Sequence, residues 1–169
     1  MKYYSIIIGI QGKTLSTKEI NYLKNYPPIG IILFKRNIQN RPQTKLLVAS
    51  IKKILGKNIL ILIDQEGGKV SRLNYPNWPK FPETEYFGSL ASKNINHAKK
   101  ETYNNYFLIG TELRELGINY NCAPVLDLKF DKANSIIGTR SFSKRPDHTA
   151  MLGYQACKGL LDANVIPIL

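Results

Sequence analysis

The chain has 169 residues, enough for one hydrophobic core of ordinary size, and 43% of them are hydrophobic and 21% charged. This composition excludes an intrinsically disordered protein, and two widely separated cysteines, Cys122 and Cys157, exclude a disulfide framework or a zinc knuckle. The formal net charge of +12 comes from lysines scattered over the whole chain, without a long run of like charges. We interpret them as solvated surface residues and expect no nucleic-acid partner.

The first ten residues combine a basic residue with an apolar run, but they lack the small-residue cleavage site of a secretory signal peptide. The other apolar runs are too short to cross a bilayer. We therefore expect a cytoplasmic protein with no membrane partner, whose opening segment is its first strand.

Apolar runs rich in isoleucine alternate with segments that carry helix-capping signals. A capping box begins at Ser16, and a later helix has Asn40 as its N-cap, Pro42 in its first turn and Gly56 as its C-cap. The pattern predicts strands near 1–10, 29–34, 59–63, 118–123 and 165–169, and helices over 16–27, 40–56, 96–116 and 146–163.

This strict alternation indicates an α/β fold with a parallel sheet and right-handed crossovers. Five strands and four helices could form a flavodoxin-like sandwich, or they could be the first part of a (β/α)8 TIM barrel, which needs about 250 residues. We favour the barrel, because the last strand reaches the end of the sequence with no helix to cover it.

The candidate binding residues follow the predicted strands. Asp64 comes directly after the strand 59–63, at the end where parallel sheets bind ligands, and Gly67 and Gly68 let the backbone turn sharply there. Arg72 and Arg140 would lie at the same edge, so a carboxylate and two guanidiniums could bind a hydroxyl-rich or acidic small molecule. Further candidates at this edge are Lys35, Arg36 and Asp127.

Other polar and aromatic residues have structural interpretations. His97 and His148 lack metal-ligand spacing and are expected on the surface near helix starts. A long Pro-rich loop over 74–88 carries four aromatic residues, and most of these should cover the core rather than stack on a ligand. They are Tyr75, Trp78, Phe81 and Phe87. The sequence contains no nucleotide-binding glycine loop.

Five short motifs, in order and spread over nearly the whole chain, resemble the bacterial β-N-acetylglucosaminidases of glycoside hydrolase family 3. The resemblance implies a TIM barrel, of which residues 1–169 would be the N-terminal portion of one domain. It also implies retaining removal of terminal N-acetylglucosamine from muropeptides in cytoplasmic peptidoglycan recycling, without a metal or organic cofactor. Asp64, Arg72 and Arg140 would bind the sugar. The motifs are Gly30–Asn37, Ile63–Arg72, Trp78–Pro82, Leu116–Asp127 and Ile137–Phe142.

The sequence departs from this family at its end. In the enzymes of this family, the strand after the motif that corresponds to Arg140 leads into a Lys-His-Phe-Pro-Gly-His-Gly segment, which supplies the histidine acid/base. The nucleophilic aspartate follows later in those enzymes. This sequence stops before both, so no catalytic residue is assigned and the chain is expected to be inactive alone. Asp127 and Glu66 are carboxylates near the predicted site, but nothing in the sequence places them on opposite sides of a sugar. The alternative is a non-catalytic half-barrel that binds amino sugars or is completed by a downstream polypeptide.

Overall fold

The computed structural model describes residues 2–130 and 136–169. Its sheet contains five parallel strands that pair in chain order. Each observed strand lies within or beside a predicted one, and the last two are reduced to two paired residues each. The strands are β1 (Tyr4–Gly9), β2 (Pro28–Leu33), β3 (Leu60–Ile63), β4 (Tyr120–Asn121) and β5 (Ile166–Pro167).

This strand order decides between the two predicted architectures. In a flavodoxin-like sheet the second strand is added on one side of the first and the third strand on the other side, which gives the strand order 2-1-3-4-5. In a barrel, each strand is added beside the preceding one. The observed order, β1-β2-β3-β4-β5, is that of a barrel. The described strands do not close into a ring, and the fold matches the N-terminal part of a TIM barrel.

Five α-helices occur in the described ranges, one more than the sequence predicts. The first two begin as expected: the Ser16 side chain accepts from the backbone N–H of Glu19, and Asn40 accepts from that of Gln43. Gly56 ends the second helix with φ +96°, a conformation that favours glycine. The helices are α1 (Thr17–Asn25), α2 (Arg41–Leu55), α3 (Thr84–Ala91), α4 (Ile95–Glu115) and α5 (Pro146–Asp162).

The additional helix, α3, lies in the segment predicted as the end of a long loop. It has only eight residues, its N-cap makes no side-chain hydrogen bond, and Gly88 lies inside it, so neither length nor capping signals it. Tertiary packing stabilises it instead, since Phe87 is buried in the core. Trp78 is also buried, Phe81 packs against the core, and Tyr75 is exposed, so most aromatic residues of this segment cover the core as expected.

His148 is buried, which contradicts the predicted surface position. It belongs to a single face of α5 that includes Leu152, Ala156 and Leu160 at helical spacing, and this face packs mainly against α4. His97 is exposed as expected. Proximity to the helix start was a poor guide to exposure because the buried face of α5 extends into its first turn.

The interior and edge strands differ in burial. Three of the four β3 residues are buried, whereas β1 is largely exposed, including Ile6 and Ile7. Ile166, at the other edge, is also exposed. The sheet is therefore covered in its middle and open at both edges. No helix in the described ranges combines the length and the apolar character needed to cross a membrane.

Candidate functional site

The first part of the site forms where β3 ends. Asp64 is the next residue, and its Oδ2 accepts a hydrogen bond from Nη2 of Arg72 at 2.7 Å. Both side chains are partly exposed, at 21% and 25%. The sequence suggested that both residues lie at this edge, and the structure shows that they form an ion pair.

A buried glutamine fixes the loop that carries Arg72. Oε1 of Gln65 accepts hydrogen bonds from the backbone N–H groups of Arg72 at 2.8 Å and Leu73 at 2.9 Å. The Asn121 side chain, from β4, in turn bonds both the N–H and the C=O of Gln65 at 2.9 Å. These bonds join the end of β3 to the loop and to the neighbouring strand, which limits the positions open to Arg72.

Gly67 and Gly68 form the tight turn within this loop, closed by a hydrogen bond from the Glu66 N–H to the Val70 carbonyl at 2.9 Å. Both glycines have positive φ, +99° and +56°. A Cβ on Gly67 would lie 2.4 Å from the carbonyl oxygen of Pro82. The glycines thus serve close packing of two backbone segments as well as the turn.

Arg140 forms a second ion pair, with Glu66. Its Nε donates to Oε2 at 2.8 Å and its Nη2 donates to Oε1 at 2.7 Å, which is the bidentate geometry of a strong arginine–carboxylate pair. Glu66 is 4% exposed, whereas the Arg140 side chain is 27% exposed. The hydrogen bonds to Glu66 raise the pKa of Arg140 above its ordinary value. The guanidinium is therefore held on its buried side and open on the other.

The segment around Arg140 rests on α3 and on the chain after β4. A Cβ on Gly88 of α3 would lie 1.5 Å from the carbonyl oxygen of Phe142, so the two backbones are in direct contact. The buried hydroxyl of Ser141 donates to the carbonyl of Asp127 at 2.6 Å. The unpredicted helix is thus part of the support of a predicted site residue.

The two ion pairs line one cavity of about 430 Å³ at the carboxyl end of the sheet. A cavity of this size suits a single small ligand. One part of the wall is charged and another is apolar. The lining residues are Asp64, Glu66, Val70, Arg72, Cys122, Pro124, Val125, Leu126, Asp127, Arg140, Ile168 and Leu169.

Cys122, which follows β4, lies on the wall of this cavity as a free thiol. Its partial burial, together with the nearby negative charge of Asp64, raises the pKa of the Cys122 thiol to about 11. The thiol is consequently protonated at neutral pH and is a weak nucleophile there.

The structure brings the three predicted binding residues, Asp64, Arg72 and Arg140, to the same cavity, together with Asp127. Lys35 and Arg36 do not line it. Arg36 instead donates to the Ile10 carbonyl at 3.0 Å and lies over the Phe34 ring, so it connects β1 to the end of β2.

Sequence reasoning missed the arrangement around Glu66. The residue was noted only as a carboxylate near the site, and its pairing with Arg140 spans 74 positions of the chain. Gln65 and Cys122 were also missed as parts of the site. The available signal was that Gln65 and Glu66 lie between Asp64, which follows a buried strand, and a glycine turn, so both are close to the strand end. Within 2–130 and 136–169, no group of three or more His, Cys, Asp or Glu side chains is arranged so that it could hold a metal ion.

The Glycosyl hydrolase family 3 N terminal domain matches residues 7–169. The chain therefore belongs to glycoside hydrolase family 3, in agreement with the resemblance carried by its five motifs.

Particular relatives narrow this class. A Beta-hexosaminidase of Xylella fastidiosa is 32% identical over 155 residues, which cover 92% of this chain and 45% of that protein. A Beta-hexosaminidase of Actinobacillus pleuropneumoniae is 38% identical over 143 residues, 84% of this chain and 40% of that protein. NagZ from Neisseria gonorrhoeae in complex with N-trifluoroacetyl-D-glucosamine superposes with a TM-score of 0.90 at 31% identity, covering 95% of this chain and 48% of NagZ. The chain spans less than half the length of each of these relatives.

Proposed function

We propose that this chain provides the sugar-binding part of a β-N-acetylhexosaminidase, and that Asp64, Arg72 and Arg140 bind N-acetylglucosamine. The whole enzyme would remove terminal N-acetylglucosamine, with retention, from muropeptides during cytoplasmic peptidoglycan recycling. Residues 1–169 would be the N-terminal portion of its single barrel domain.

The observation that carries this proposal is the convergence of the three predicted residues on one cavity at the carboxyl ends of the strands. Carboxylates and guanidiniums offer directed acceptors and donors to sugar hydroxyls, and the apolar wall can contact a sugar ring. NagZ from Neisseria gonorrhoeae, which superposes on 95% of this chain, has been solved in complex with N-trifluoroacetyl-D-glucosamine. These features together favour an amino sugar as ligand.

The same geometry leads us to expect binding without cleavage by the 169-residue chain alone. Retaining hydrolysis needs a nucleophile and an acid/base group on the two sides of the bond, about 5 to 5.5 Å apart when both are carboxyls. In the described cavity, Asp64 and Glu66 already accept hydrogen bonds from Arg72 and Arg140. Both acids are thus engaged in ion pairs, and we assign neither as catalytic.

Isothermal titration calorimetry with N-acetylglucosamine tests the binding site. The wild type should release heat with a single-site isotherm, and Asp64→Ala should lose it because the sugar loses its acceptor and Arg72 loses its partner. Asp162→Ala is the matched control, since Asp162 pairs with Lys158 on the exposed surface of α5. Equal heats for the wild type and Asp64→Ala would contradict the assignment.

A chromogenic N-acetylglucosaminide tests the expected inactivity. The purified chain should release no chromophore above a buffer blank, while a full-length relative releases it under the same conditions. Release by the chain that disappears in Asp64→Ala would show that the cavity contains a complete catalytic pair.

A second candidate function is a half-barrel that does not cleave sugars by itself and that a further polypeptide completes. The exposed apolar residues at both sheet edges, including Ile7 on β1 and Ile166 on β5, favour it. Mixing the chain with the polypeptide that follows the matched region in the Xylella relative should slow amide exchange in β1 and produce hydrolysis. Unchanged exchange and no hydrolysis would count against this candidate.

A further inference from the structure

The charge of the cavity wall differs from the charge of the molecule as a whole. The chain as a whole has a net charge of +12, yet the cavity wall carries three carboxylates, Asp64, Glu66 and Asp127, and only two guanidiniums, Arg72 and Arg140, among its described side chains. Both guanidiniums contact a carboxylate at 2.7 Å. The positive charges that could attract an acidic ligand are therefore neutralised inside the cavity itself.

We propose that Glu66 is a positioning residue that sets the charge selectivity of this cavity: it fixes and neutralises Arg140, so that the cavity binds neutral amino sugars and rejects their acidic counterparts. This inference rests on the proposed sugar-binding function and deepens it. It narrows the sequence-based expectation, which left both a hydroxyl-rich and an acidic ligand open.

The positioning follows from the bidentate contact. Glu66 engages Nε and one N–H of Nη2, which fixes the plane of the guanidinium as well as its location. Within the described part of the chain, Nη1 makes one long contact, 3.4 Å to the carbonyl of Ile136. Arg140 consequently presents the outer part of its guanidinium to a ligand, in an orientation suited to donate hydrogen bonds to neutral hydroxyl or carbonyl oxygens.

The selectivity follows from burial. Glu66 is 4% exposed, so solvent screens its charge little, and its field acts over the cavity at close range. A carboxylate or phosphate on the ligand would meet a wall with one negative charge in excess, and it would have to displace Glu66 to form its own bidentate pair with Arg140. Displacement would leave the Glu66 carboxylate buried without its partner, which is strongly unfavourable.

A matched pair of ligands tests this inference by calorimetry or by competition. The neutral probe is N-acetylglucosamine. The acidic probe is the corresponding uronic acid, which differs only in having a carboxylate in place of the C6 hydroxymethyl group. The wild type should bind the uronic acid at least about tenfold more weakly. Equal affinities would overturn the inference, and this comparison does not depend on any variant folding correctly.

Three variants then separate charge from geometry. In Glu66→Gln the preference for the neutral sugar should shrink about tenfold, because the counter-charge of Arg140 is gone. Glu66→Asp keeps the charge but is too short for the same bidentate contact, so it should retain the preference while binding both sugars more weakly. Glu115→Gln changes the net charge equally, but Glu115, the last residue of α4, pairs with Arg41 and does not line the cavity, so this variant should behave like the wild type.

The readout is the ratio of the two affinities. A general loss of folding would weaken the binding of both sugars alike and would leave this ratio unchanged. Folding of each variant is checked by circular dichroism and thermal unfolding. An unchanged ratio in folded Glu66→Gln overturns the inference and leaves the proposed function intact. Failure of the wild type to bind either sugar overturns the proposed function and this inference together.

Discussion

The segments that carry Arg72 and Arg140 reach the same cavity but are held in different ways. The Arg72 segment is fixed largely by nearby residues: Gln65 bonds its backbone, and a glycine turn closes it. The Arg140 segment depends on remote contacts with Glu66 and with Gly88 of α3. One half of the site is thus built by local structure, and the other half exists only when distant parts of the chain have packed.

The largest expected effect comes from removing each arginine in turn. Arg140→Met leaves Glu66 buried without a partner, which should cost about 3 kcal/mol of unfolding free energy, the lower end for a broken buried pair because Arg140 is partly exposed. Arg72→Met leaves Asp64, which retains access to water, so its cost should be about 1 kcal/mol or less. Urea unfolding measures both.

Equal losses in these two variants would contradict the difference between the segments. The double variant adds a check on their independence. If the pairs are separate, its loss should equal the sum of the single losses within about 0.5 kcal/mol.

A second test adds a methyl group where α3 meets the Arg140 segment. Gly88→Ala should cost about 1 to 3 kcal/mol, because its Cβ would collide with the backbone carbonyl of Phe142, which a rotamer change cannot relieve. Gly153→Ala, also inside a helix, is the control: its Cβ would meet the flexible end of the Leu126 side chain, so the loss should be smaller. N-acetylglucosamine affinity should also fall in Gly88→Ala, because the carbonyl that must move lies two residues from Arg140. The control serves for stability alone, since Leu126 lines the cavity.

The same difference explains how far the sequence could predict the structure. The position of Asp64, the glycine turn and the capped helices follow from local patterns, and the structure agrees with them. The alternation of elements narrowed the fold to two candidates, and the observed strand order selected the barrel. The same strand-end argument placed Arg72 and Arg140 beside Asp64, and the family resemblance added a sugar as their ligand.

The pairing of Arg140 with Glu66 could not be read from the sequence, because hydrogen-bond partners far apart in the chain leave no periodic signal. Helix α3 was missed for a related reason: packing stabilises it, and its own residues provide neither a side-chain cap nor length. His148 was misplaced because its position near the helix start was used, whereas its helical spacing with Leu152, Ala156 and Leu160 indicated the buried face.

A smaller effect is expected at Ser141, which ties the Arg140 segment to the chain after β4. Ser141→Ala should cost about 1 kcal/mol, since the buried hydroxyl bonds the Asp127 carbonyl at 2.6 Å. Ser50→Ala is the matched control, because its hydroxyl bonds a carbonyl one turn earlier on an exposed helix surface. Its unfolding free energy should stay within about 0.5 kcal/mol of the wild type. A loss at Ser50 as large as at Ser141 would mean that burial is not the cause.

The smallest expected effect is a pH dependence at Cys122, beside Asp64. Burial and the Asp64 charge raise the pKa of the folded thiol to about 11, against 9.0 for an unperturbed thiol. Between these values the unfolded chain loses a proton that the folded chain keeps, so stability must fall as pH rises through this window. Because Cys122 is only partly buried, the loss attributable to it should be roughly 1 kcal/mol or less.

Comparing the wild type with Cys122→Ser isolates this contribution, since the serine hydroxyl does not ionise and all other groups titrate alike in both proteins. The difference in unfolding free energy between the two should be constant below about pH 9 and should shift against the wild type above it. A constant difference up to about pH 11 would place the thiol in a solvated position away from Asp64. The experiment therefore measures the electrostatic environment of the cavity beside Asp64 without altering either arginine.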